Sequence, residues 1–212
     1  MTSRKTSETS GEAIPEQFFQ RADQSPDENF YQSPRFVTHI DQATIDALTR
    51  FYAEFIPAHA RLLDLMSSWI SHLPDDLTLD RVAGLGMNEA ELAANPRLTD
   101  FCVHNLNRDP RLPYPSGSFD RVTIAVSVQY LIRPIEVMRS VHDVLASDGG
   151  VCIAMSHRLF PTKAIAAFQH LGVEDRLGLV RHYLTVAGFR EIEIVDRSPA
   201  GADPLWLAVG YR

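Results

Sequence analysis

Leu112 to Ser156 reads LPYPSGSFDRVTIAVSVQYLIRPIEVMRSVHDVLASDGGVCIAMS, and the order of signals within it decides the fold class. A polar turn, Pro115-Ser116-Gly117-Ser118, leads into Phe119-Asp120 and an apolar run from Val122 to Val128. Ile135, Met138, Val141 and Leu145 then recur at helical spacing, and the pattern stops before Asp148-Gly149-Gly150. Val151 to Met155 opens a second apolar run directly after the glycines. A strand, an amphipathic helix closed by glycine and a second strand form the unit from which parallel sheets are built.

Outward from that unit the alternation continues. Strands are predicted at 61–66, 81–86, 101–105, 121–128 and 150–155, separated by segments long enough for crossovers. A helix from Ala43 to Ile56 carries Ile45, Leu48, Tyr52 and Phe55 on one face, with Asp41 placed to cap it. The chain closes differently: Glu191–Val195 and Leu205–Tyr211 are two strands joined by Ser198-Pro199-Ala200-Gly201-Ala202-Asp203-Pro204, which suits an antiparallel hairpin. Residues 1–28 hold few apolar positions and are expected to be a flexible tail, with Phe18-Phe19 as the exception. A single domain over 29–212, its first part (29–58) a helical cap, is the expected organisation.

Composition narrows the function classes. The chain of 212 residues carries a formal charge of −7 and shows no cluster of Lys and Arg beyond its first few residues, which argues against a phosphate-backbone partner. No apolar stretch approaches a membrane span and the amino terminus has no signal-type segment, so a cytoplasmic location is expected. Cys102 and Cys152 fall in predicted strands and read as small buried hydrophobes. The histidines lack metal-ligand spacing, and neither a G-x-S-x-G elbow nor a Walker loop occurs.

Leu112-Pro113-Tyr114, Ser118-Phe119-Asp120, Val144-Leu145 and Gly149-Gly150, in this order, resemble the second half of class I S-adenosylmethionine-dependent methyltransferases. The resemblance covers roughly residues 30–212 and is nearest to the methyltransferase type 11 group, with a first loop modified to Leu65-Met66-Ser67-Ser68-Trp69. It implies a doubly wound, mostly parallel seven-stranded sheet with an antiparallel C-terminal hairpin, S-adenosylmethionine as cofactor, a small-molecule acceptor and a monomer or homodimer. The alternative is a non-catalytic protein of the same fold that binds a metabolite or a protein partner. A nicotinamide-dependent oxidoreductase would need a glycine fingerprint after the first strand, and none is present.

In open α/β sheets ligands bind beyond the carboxyl ends of the strands where strand order reverses. By the resemblance, Asp64 opens the first loop, and Met66, Ser67 and Ser68 stand where the family carries glycines. Serines keep the loop small and offer hydroxyls for the amino-acid end of the cofactor, so a turn without positive φ is expected; Trp69 either stacks or obstructs. Gly86 occupies the position of the ribose carboxylate, with Asn88 or Glu89 as substitutes and Met87 flanking adenine. Asn105 matches the adenine-binding acid and Leu106 would supply a backbone N–H, whereas His104 points to the other face. Ser127 lies beside the transferred methyl. The expected catalytic residues are Tyr130, through its ring face, Gln129, orienting the acceptor, and His157, as a general base. Tyr130 read simply as a cover for the core edge is the competing view. Arg158 and Lys163 either hold an acidic substrate or are solvated loop charges, and His39 with Asp41 is a further candidate from the amino-terminal side.

Overall fold

The computed structural model describes residues 14–212. Seven strands form one sheet: β1 (Arg61–Leu65), β2 (Arg81–Gly86), β3 (Asp100–Val103), β4 (Phe119–Ala125), β5 (Leu145–Met155), β6 (Arg190–Asp196) and β7 (Trp206–Tyr211). Their order across the sheet is β3-β2-β1-β4-β5-β7-β6, parallel from β3 to β5 and antiparallel at β7 and β6. This is the class I methyltransferase fold, and the predicted C-terminal hairpin is present. Six helices accompany the sheet: α1 (Asp27–Tyr31), α2 (Gln42–Phe55), α3 (Glu89–Ala94), α4 (Pro134–Val144), α5 (Ala166–His170) and α6 (Val173–Ala187).

The period of two along the strands divides the core between the faces of the sheet. Leu63, Leu65, Val122, Ile124, Val151 and Ile153 pack with α4 and α6. Leu62, Val82, Cys152, Ala154, Leu207 and Val209 pack with Leu48, Tyr52 and Phe55 of α2. Asp41 caps α2, its carboxylate accepting from the Thr44 N–H at 2.9 Å. Gly188, at φ 99°, ends α6 in the left-handed conformation that glycine tolerates. Cys152 is buried and Cys102 partly so, both as free thiols.

Three differences from the sequence reading shape the site. The connection from β1 to β2 carries no helix: Pro74 lies nine residues after β1, and the Ser67 and Ser71 hydroxyls turn back onto Asp64. The helix after β4 ends at Val144, so Leu145 already pairs with Phe119 as the start of β5. Residues 1–13 of the expected tail lie outside the described residues, but residues 14–28 contact the domain. Ile14, Phe18 and Phe19 pack on the core, and the Asp23 N–H donates to the Thr162 carbonyl at 2.9 Å.

Candidate active site

Strand order reverses between β1 and β4, and a cavity of about 120 Å³ opens beyond the carboxyl ends of β1, β2 and β4. Its floor is Asp64, Met66, Gly86 and Ser127, and its outer wall is Asp27, Tyr31, Arg35 and His39 from the segment before α2.

Asp64 is 3% exposed and accepts the Ser67 hydroxyl at 2.6 Å and the Ser71 hydroxyl at 2.7 Å. Desolvation dominates over these bonds and pushes its carboxyl up to about 6. Ser68 donates to Glu91 at 2.6 Å, so neither serine hydroxyl of the first loop has its proton directed at the cavity. The loop does not avoid left-handed backbone as the sequence suggested. Met66 has φ 59°, and this turn lets the Ser67 N–H reach the Leu85 carbonyl at 2.8 Å. That approach explains Gly86: a Cβ there would penetrate the Ser67 carbonyl oxygen, so a ribose-binding carboxylate cannot be carried at this position.

Met66 is not isolated. His39 (φ 67°), His72 (φ 55°) and Val126 (φ 48°) also line the cavity and also lie in the left-handed region. Such backbone costs on the order of 1–3 kcal/mol per non-glycine residue and concentrates where function holds it in place. Two buried polar atoms in the lining, His72 Nδ1 and Ser127 Oγ, have no hydrogen-bond partner. Burial, reinforced by the charge of His39, holds His72 down at about 4, and desolvation also lowers His39. Both imidazoles are therefore neutral near pH 7.

The amino-terminal segment takes up several groups that the sequence assigned to a ligand. Asn88 caps α3 by accepting from the Glu91 N–H at 3.0 Å and gives its amide protons to the Tyr31 and Gln32 carbonyls. Asn105 donates to Glu28 at 3.0 Å, while its oxygen accepts the Asn107 and Arg108 N–H groups. Glu89, the other proposed ribose substitute, is exposed and outside the cavity. Met87, His104 and Leu106 line the cavity.

Of the expected catalytic residues, Tyr130 lines the cavity, stacked on Phe160 at 5.9 Å, with its hydroxyl accepting the Phe160 N–H at 2.9 Å. Gln129 does not reach the cavity; it is buried and donates to the Val126 carbonyl at 2.8 Å. His157 points away, its Nε2 lying 2.9 Å from the Asp203 carboxylate. Arg158 binds the same Asp203 carboxylate, and Lys163 is fully buried against Asp23 and Asp27, so neither is a free loop charge. Trp69 donates to the Val37 carbonyl and packs edge-on to Phe36, outside the cavity. The sequence reading missed Arg35, His72 and Glu91. Only Glu91 left a local signal, as the acidic residue three positions after a helix-capping Asn. Among the described residues no group of His, Cys, Asp and Glu is arranged to hold a metal ion, and no helix is long and apolar enough to cross a membrane.

Residues 71–153 match the family model described as a methyltransferase domain. The fold resembles an S-adenosylmethionine-dependent methyltransferase from Mesorhizobium loti, with a TM-score of 0.58 and 19% identity over 79% of this chain and 100% of that one. The [4+2]-cyclase SpnF matches with a TM-score of 0.60 and 17% identity over 79% of this chain and 81% of its own. Haemonchus contortus phosphoethanolamine N-methyltransferase 2, solved in complex with S-adenosyl-L-methionine, matches at 0.57 and 13% over 80% of this chain and 52% of its own. Comparison with curated proteins gives no match. The recognition made from the residues around Leu112–Ser156 is thus borne out for fold and domain.

Proposed function

We propose that the chain transfers a methyl group from S-adenosylmethionine to a small-molecule acceptor. The observation that carries this reading is the coincidence, in one cavity at the reversal of strand order, of a desolvated acid, two orphaned polar atoms and four left-handed non-glycine residues. The residues present fit the cofactor's chemistry. Asp64 would take the ammonium of the amino-acid end, with Ser67 and Ser71 fixing its carboxylate, and Ser127 Oγ and His72 Nδ1 would bond polar groups that enter the cavity. Met87 and Leu106 would flank the adenine, with Gly86 and Asn105 contributing backbone.

When bound, the cofactor supplies an electrophilic methyl on a sulfonium. Displacement in line with that carbon depends mainly on alignment and exclusion of water. Tyr130 and Phe160 would provide an aromatic wall favourable to the cation. His39, neutral at its ring nitrogens, replaces His157 as the group able to accept a proton released by an oxygen or nitrogen acceptor. With the cofactor held at Asp64, Met87 and Leu106, the methyl–sulfur bond would be lost as the bond to the acceptor is gained, leaving a neutral thioether. A cytoplasmic protein, monomeric or homodimeric, is consistent with this role.

Calorimetric titration with S-adenosylmethionine and S-adenosylhomocysteine tests the proposal; no heat of binding at millimolar ligand would overturn it. A second reading, a non-catalytic metabolite- or partner-binding protein, is favoured by the serine hydroxyls and the Asn88 and Asn105 amides being engaged within the chain. A fold does not fix its chemistry. Turnover on any acceptor would dismiss this alternative.

A further inference from the structure

The basic residues expected to hold an acidic substrate are neutralised inside the chain. Arg158 is bound to Asp203, and Lys163 is enclosed by Asp23 and Asp27. Asp27, the carboxylate on the outer wall, is already shared between Arg21 at 2.6 Å and Lys163 at 3.4 Å. Glu91 uses one oxygen for the Arg35 backbone N–H and the other for the Ser68 hydroxyl. Arg35 is different. It lines the cavity, and its guanidinium lies over the Phe30 ring at 4.1 Å and within 5.7 Å of the Phe160 ring and makes no ion pair among the described residues. Among the described residues its only side-chain hydrogen bond runs to the Ser33 carbonyl at 3.4 Å.

A guanidinium presents five donors in a planar fork that matches a carboxylate. Stacking on Phe30 fixes the plane of that fork at low entropic cost and leaves its edge free. Next to it, Tyr130 stacks on Phe160, and His39 meets Phe160 edge-on at 5.5 Å, so the wall between the fork and β4 is aromatic. A second cavity shares His39, Val126 and Phe160 with the first. We propose that Arg35 anchors the carboxylate of a flat, unsaturated acceptor whose body lies against Phe160 and Tyr130. The inference rests on the methyl-transfer reading for the word acceptor, but the anion subsite itself does not. The cofactor also has a carboxylate, at the amino-acid end that we assign to the neighbourhood of Asp64. The test separates the two.

The full chain is titrated with benzoate and with benzamide, its uncharged analogue, with and without S-adenosylhomocysteine. Benzoate is expected to bind at least about tenfold more tightly than benzamide, a difference of about 1.4 kcal/mol. Arg35→Gln should erase this preference, Arg35→Lys should retain part of it, and both should hold S-adenosylhomocysteine within about twofold of the parent chain, which also reports that they are folded. Equal binding of the two probes, or binding of neither at about 10 mM, overturns the proposal. So does a tenfold loss of S-adenosylhomocysteine affinity in Arg35→Gln, which would assign the guanidinium to the cofactor. If benzoate is discriminated while S-adenosylhomocysteine never binds, the anion subsite stands and the methyl-transfer reading falls.

Discussion

Met66 stands at φ 59° with no glycine to relieve it, and the turn it makes delivers the Ser67 N–H to β2. Replacing it by alanine and by glycine removes the same thioether packing but differs in backbone freedom. Met66→Gly should therefore be more stable than Met66→Ala by about 1 kcal/mol in urea unfolding, the size of the left-handed penalty on a Cβ. Asp64 makes a pH prediction. Its folded-state value of about 6 lies above the ordinary 3.8, so between these the folded chain keeps a proton that the unfolded chain has released. Stability contributed by this group is full at low pH and declines as pH rises from about 4 to about 6. In Asp64→Asn that part of the decline should vanish, measured by denaturant midpoints across the window. Asp64 was legible from the sequence, because position in the first loop suffices to name it. Gly86 was read as a missing carboxylate, and the reason it must be glycine was not legible: it is a contact with a carbonyl nineteen residues earlier.

At the scale of elements, each strand was found because apolar runs bounded by turns are a local property, and their ends shifted by a few residues where pairing decided them. The connection from β1 to β2 was less legible. Its length allows a crossover helix, yet two serine hydroxyls and a buried carboxylate hold it as a loop. The segment before α2 was the largest departure. A polar stretch lacks the apolar periodicity that betrays a docked element, and this one is docked by charge. Lys163 reaches the Ser25 carbonyl at 2.8 Å and the Asp23 carboxylate at 3.0 Å, which holds Asp23 down at about 2 through bonds from Ser25 and then Lys163. Removing Lys163 leaves Asp27 paired with Arg21 but takes away the cation that the Asp23 carboxylate and the Ser25 carbonyl bind. In Lys163→Met, amide exchange over residues 21–35 should accelerate sharply while β4 and β5 keep their protection. Unchanged exchange there would mean that the aromatic contacts of Phe30, not Lys163, hold the segment.

Across the whole molecule, one carboxylate ties the ends of the fold together. Asp203, in the loop between β6 and β7, accepts the Asp41 N–H on its carboxylate, while its own N–H donates to the Asp41 carboxylate and its carbonyl accepts the Thr44 hydroxyl. His157 and Arg158 close on the same side chain, which the Arg158 bond keeps below the usual carboxylate range. Alternation in the sequence made the sheet legible, but no pattern could announce a bond between residues 162 positions apart. That separation has a consequence for the order in which the protein acquires its parts. The outer wall of the cavity is synthesised first and meets Asn88, Glu91 and Asn105 midway along the chain, but Lys163, and the tie from Asp203 to the start of α2, come much later. Loop closure over such a span is slow compared with forming neighbouring strands and helices. Pulse-labelled exchange during refolding should find β1, β4 and β5 protected before residues 27–44. A nascent chain released short of Asp203 would still lack the tie that joins the start of α2 to the last loop.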